Sequence, residues 1–190
     1  MVPDHPASLL PASPDRPARG PRACEAGKQP IDRLVLAPPA LQGAMLAMVS
    51  RDTSHVVLSD AQRLSHFPAS PIVTLSWYHE VEPGLVHARH GWQRLVSRVM
   101  LSGSQSSPLV TWSPNSGRGY MACFAPDAAQ ALFGLDLGAV QDRFVPAQDV
   151  LGPEWQPMCE ALLAALDDPA SMKVLEQHLG PRWRTLQGRS

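Results

Sequence analysis

The feature that most constrains this chain is a change of period at Phe124. Up to that residue, short apolar runs alternate in the manner of strands and are fenced by Pro and Gly. Beyond it, apolar residues recur at helical spacing. An order of mostly strands followed by mostly helices predicts an α+β fold. A doubly wound parallel sheet would need strands and helices to alternate, and they do not. There is no internal repeat.

The clearest strand runs from Ile72 to His79, rich in β-branched and aromatic residues between Pro71 and Pro83-Gly84. Alternation places Val73, Leu75, Trp77 and His79 on one face, and Ile72, Thr74, Ser76 and Tyr78 on the other. The stretch "RLVSRVMLSG" predicts a second strand ending at Gly103. Leu109–Ser113 and Tyr120–Phe124 read as two more, joined through Pro114-Asn115-Ser116-Gly117 as a hairpin. Upstream, Pro38-Pro39 rules out one continuous helix, and "LQGAMLAMVSRDT" reads as a strand or a short helix. Residues 1–30 are rich in Pro, Ala and Arg without usable periodicity. They read as a disordered tail or an over-extended start of translation, and Asp4 and the prolines argue against a secretion signal.

After Phe124, Asp127 is placed to cap a first helix and Gly134 to close it. Asp136 is placed to cap a second, with Leu137, Val140 and Phe144 on one face. "VPAQDVLG" reads as a connector, and "EWQPMCEALLAALDD" as a longer helix with Pro157 in its first turn or kinking it. A last helix carries Met172, Leu175 and Leu179, with Gly180-Pro181 as its stop signal. The expected organisation is a tail (1–30), a β-rich lobe (31–124) and a small helical lobe (125–190).

The 190 residues suit one domain, and 44% hydrophobic residues are enough for a core. A net charge of -1 gives no electrostatic footprint for nucleic acid or an anionic membrane. Cys24, Cys123 and Cys159 are far apart and odd in number, so they suggest neither a disulfide framework nor a structural zinc site. No apolar run is long enough to span a bilayer. No nucleophile elbow, phosphate-binding loop, dinucleotide fingerprint or zinc-protease motif is present, so no catalytic residue is assigned. His79, His87 and His90, with Glu80 and Glu82 beside them, are the best enzymatic lead, although His87 and His90 fall in the loop "PGLVHARHGW". Trp77 and His79 either line a ligand cavity or are, respectively, core and the sheet's end. Arg182, Trp183 and Arg184 read as a helix end leading into a linker.

The order of segments resembles the amino-terminal, effector-side domain of bacterial AraC-type transcriptional regulators. The residues that carry the likeness are Gly103-Ser104-Gln105-Ser106-Ser107-Pro108, then Phe124-Ala125-Pro126 at a strand end. A short helix follows, closing on Phe133-Gly134 in place of Leu-Gly, and then Val140-Gln141-Asp142-Arg143-Phe144-Val145-Pro146. The likeness covers roughly residues 65–186. It implies a cupin-like β-barrel or antiparallel sheet that senses a small effector, followed by helices leading to the DNA-binding part. The chain ends at Ser190, where the family continues into two helix-turn-helix units, so DNA is expected to be reached only through a domain absent here. The metal-binding His-x-His pattern of cupins is also absent.

The expected function is therefore ligand sensing and dimerisation in transcription regulation, by a cytoplasmic protein that is not an enzyme. Trp77, His79, Trp112 and Tyr120 are the expected ligand-binding residues, because aromatics with polar tips both pack and orient a ligand. No metal or other cofactor is expected; the expected partners are a small-molecule effector and a second copy of the chain, and no membrane. The alternative is a small cupin-like metal-dependent enzyme built on the region of His79, His87 and His90.

Overall fold

A computed structural model describes residues 29–188. Ten strands come in chain order as β1 (Ile31–Leu36), β2 (Met45–Asp52), β3 (Leu64–Phe67), β4 (Val73–His79), β5 (Gly84–His87), β6 (Gly91–Arg94), β7 (Val99–Ser102), β8 (Leu109–Trp112), β9 (Arg118–Phe124) and β10 (Phe144–Pro146). Five α-helices are interleaved with or follow the last strands: α1 (Pro126–Phe133), α2 (Leu137–Val140), α3 (Ala147–Val150), α4 (Gln156–Ala164) and α5 (Asp168–Gln187). The strands form two antiparallel sheets, a large one ordered β1-β2-β9-β4-β7-β10 and a small one ordered β3-β8-β5-β6. The fold is thus α+β.

One face of the large sheet is packed by helices. On β4 the buried alternation puts Val73, Leu75, Trp77 and His79 on that face, as their sequence predicts. Leu132 of α1, Met158 and Leu162 of α4, and Leu175 and Leu179 of α5 meet them and are fully buried. Each such side chain contributes about 1.5–3 kcal/mol relative to exposure. Phe124, Phe133 and Trp155 continue the core edge to face, with ring centroids 5.4 and 5.0 Å apart. The segment after Phe124 shares this one core with the strands, and it also supplies β10 to the large sheet. Pro146 is tolerated there because β10 is the edge strand, where a missing N–H breaks no ladder.

Several local expectations are corrected by tertiary pairing. Leu109–Trp112 and Arg118–Phe124 do not form a hairpin: β8 pairs with β3 and β5, and β9 with β2 and β4. The turn at residues 113–117 instead carries the chain from one sheet to the other. Of the two readings of "LQGAMLAMVSRDT", the strand is the one that forms, as β2. His87 ends strand β5 and is not in a loop, while His90 lies in the turn that joins β5 to β6. Asp127 lies in the first turn of α1 behind Pro126 and is not its cap, while Gly134 closes the helix in the left-handed conformation at φ 68°. Asp136 does cap α2, accepting from the N–H groups of Gly138 and Ala139 at 3.0 and 3.2 Å. Phe144 leaves that helix for β10, and the expected connector contains α3.

The last correction is at Pro181, which lies inside α5. Tertiary contacts override the local stop. Gly180 is buried near Ala40, the Trp183 indole Nε1 donates to the Gln42 carbonyl at 2.9 Å, and Trp183 and Leu186 pack on the core. Arg33 of β1 also reaches Asp168 of α5 at 3.5 Å. The expected tail falls mostly outside the described residues. Among those residues no helix is long and apolar enough to cross a membrane.

Candidate functional site

The other face of the large sheet is not packed against helices. Between it and the small sheet lies a cavity of about 580 Å³. The same alternation that buries Leu75 and Trp77 beneath the helices turns Thr74, Ser76 and Tyr78 of β4 into this space. Their register partners bring Met121 and Cys123 of β9 alongside, with Val49 and Arg51 of β2 beyond them. The small sheet contributes Leu64 and Phe67 from β3, and Leu109 and Thr111 from β8. Mid-strand residues such as Thr74, Met121 and Thr111 stay half-buried although the opposite face is closed. A volume of this size matches cavities that enclose small organic molecules.

The two ends of the cavity are built differently. At one, Gln105 donates its side-chain Nε2 to the Ser102 hydroxyl at 3.0 Å and to the Gly103 carbonyl at 3.1 Å. Its backbone exchanges two hydrogen bonds with Ser70, at 2.8 and 2.9 Å. At the other end, Arg51 donates to the Gln62 carbonyl at 3.1 Å, and Arg63 to the Pro114 carbonyl at 2.7 Å. The β8–β9 crossover is pinned there as well. The Thr53 hydroxyl donates to the Gly117 carbonyl and accepts from the Gly117 N–H, both at 3.0 Å.

Two titratable side chains of the lining are held in their neutral forms. Enclosure pushes the Tyr78 phenol up to about 12, partly opposed by its hydrogen bond with Ser76, so it is a neutral hydrogen-bonding group. Burial likewise raises the Cys123 thiol and keeps it protonated. The hydroxyls of Thr74 and Thr111 have no hydrogen-bond partner among the described residues, and so are available to a ligand.

The four residues singled out in the sequence are not brought together around this space. Tyr120 borders the cavity, but its ring is turned to the helical face and lies flat on Trp77. His79 is on that same buried face, its ring edge-on to Tyr120 with centroids 5.6 Å apart. It donates to the Leu162 carbonyl of α4, and its Nε2 has no partner among the described residues. Trp112 belongs to the small sheet, where it meets Trp92 edge to face and its carbonyl accepts from the Trp92 indole at 3.0 Å. His87 and His90 face each other on the β5–β6 hairpin with ring centroids 6.4 Å apart. Among the described residues no three His, Cys, Asp or Glu side chains gather as a metal site.

What sequence reasoning missed was the mixed face of β4. The signal was present: a wholly apolar face is better suited to core, whereas Thr74, Ser76 and Tyr78 offer both contact area and hydrogen bonds. Compared with protein-family models, curated proteins and solved structures, the chain matches none.

Proposed function

We propose that this chain is a ligand-sensing module of the kind found at the effector end of AraC-type regulators, with its two sheets acting as a cupin-like container. The observation that supports this reading is the cavity between the sheets, lined by apolar side chains and by hydroxyls such as those of Thr74 and Thr111. A protein interior is otherwise close-packed, so such a volume is useful only if something occupies it. The response follows from strand geometry. Thr74, Ser76 and Tyr78 alternate with Leu75 and Trp77, which pack against α4 and α5, so a ligand that shifts β4 is felt by the helices.

Pairing of two copies belongs to the same reading. Edge strand β1 exposes Ile31, Leu34 and Leu36, and light scattering over a concentration series tests it, with a monomer throughout counting against dimerisation. DNA contact would lie with helix-turn-helix units, not with this container.

The cavity itself is tested with Nile red, a neutral dye that brightens in apolar surroundings. The folded chain should enhance its emission, and Met121→Trp, which fills the space, should abolish the enhancement while the protein still melts cooperatively. Equal dye binding by that variant removes the reading. Hydrogen exchange then follows the response: a bound ligand should slow exchange in α4 and α5, and unchanged helices would limit the chain to binding without signalling.

A further inference from the structure

Arg63 opens β3 at one end of the cavity, and its Nη1 donates to the carbonyls of Ser113 and Pro114 at 3.4 and 2.7 Å. Both acceptors are neutral, and among the described residues no carboxylate forms an ion pair with it. Arg51 reaches the same end from the large sheet. It donates to the carbonyl of Gln62, the residue before Arg63, and its Nε lies 3.7 Å from Asp32. That Asp32 side chain is 62% exposed and so is largely stabilised by water. Of the two guanidinium groups at this end, Arg51 thus has one solvated carboxylate beside it, and Arg63 has only neutral carbonyls among the described residues. Away from this end the lining includes the apolar Val49, Phe67, Leu109, Met121 and Phe144, with hydroxyls between them and the imidazole of His66 on β3.

We propose that the cavity takes an organic monocarboxylate, with its apolar body between the sheets and its carboxylate on Arg63 and Arg51. The proposal rests on the ligand-binding reading of the same cavity. A guanidinium presents paired donors that match a carboxylate, and such charge-assisted bonds are stronger than those Arg63 makes to carbonyls. A cationic ligand would meet uncompensated positive charge at the arginine end. A neutral ligand of the same body would gain only the apolar contacts and the hydroxyls.

The test compares octanoate with 1-octanol by calorimetry on the full chain at neutral pH. Octanoate should bind roughly tenfold or more tightly than the alcohol, as expected for a charge-assisted hydrogen bond at a half-buried site. Arg63→Gln should weaken octanoate far more than octanol and so remove that preference. Because Arg63 also ties β3 to the crossover, a salt series on the unaltered chain gives a second measurement. Raising the ionic strength from about 0.05 M to about 0.5 M should weaken octanoate and not octanol. Equal or tighter binding of octanol, or octanoate binding indifferent to both salt and Arg63→Gln, overturns the proposal while leaving the cavity reading intact. Binding of neither probe also overturns it, and the Nile red comparison then shows separately whether the cavity reading stands.

Discussion

Trp77 and Tyr120 are direct cross-strand partners on β4 and β9, and their rings stack with centroids 5.3 Å apart and planes 2° from parallel. The pair forms part of the floor on which α4 and α5 rest, with both residues almost fully buried. Trp77→Ala should therefore destabilise the fold by about 3–5 kcal/mol, the usual range for deleting a buried large aromatic. Tyr120→Phe keeps the stack and should cost well under that, about 1 kcal/mol or less, because its hydroxyl has no hydrogen-bond partner among the described residues that the change would remove. Urea unfolding of the two variants separates the cases, and similar losses would contradict stacking as the main contribution.

His79 links the same floor to pH. Burial, followed by the nearby positive charges of Arg118 and Arg98, lowers its pKa below the usual 6.5, against the opposing effects of the Leu162 carbonyl and Glu80. A histidine depressed in the folded state is protonated more readily in the unfolded chain. Stability should then be complete above about 6.5 and fall as pH drops from there toward the folded-state value. Urea midpoints at neutral and mildly acidic pH measure this, and His79→Gln should flatten the difference. An equal pH slope in that variant would place the effect elsewhere.

Gly103 sits where β7 meets the end of α2, and a Cβ there would collide with the backbone carbonyl of Val140. Backbone cannot yield as a flexible side chain can. Gly103→Ala should destabilise the protein by about 2–3 kcal/mol, within the range for overpacking a tight contact. Thermal melting should show a clear loss, whereas an unchanged midpoint would mean that the approach between β7 and α2 is looser than described.

Pro181 lies within α5 on its exposed side, where it removes one helical hydrogen bond and crowds the preceding turn. Pro181→Ala restores that donor and should stabilise the fold by about 1–3 kcal/mol, up to the full cost of an interior proline. A lower melting temperature in the variant would instead show that the proline's shape is needed for the contact of Trp183 with Gln42.

The sequence alone carried the backbone states that depend on near neighbours. Alternation along Ile72–His79 set which side chains share a face, Gly134 marked a left-handed helix end, and Asp136 supplied a cap, because each follows from dihedral preference and hydrogen-bonding reach within a few residues. The tertiary structure decided what each face met. Nothing local says that β8 joins β3 and not β9, since ladder partners are chosen by packing between distant segments. For the same reason Pro181 did not end α5: contacts with Ala40 and Gln42 outweighed its local cost. The candidate site turned on that distinction as well. Alternation separated Trp77 from Tyr78, but only the assembly of helices on one side and a second sheet on the other made the first residue core and the second part of a cavity wall.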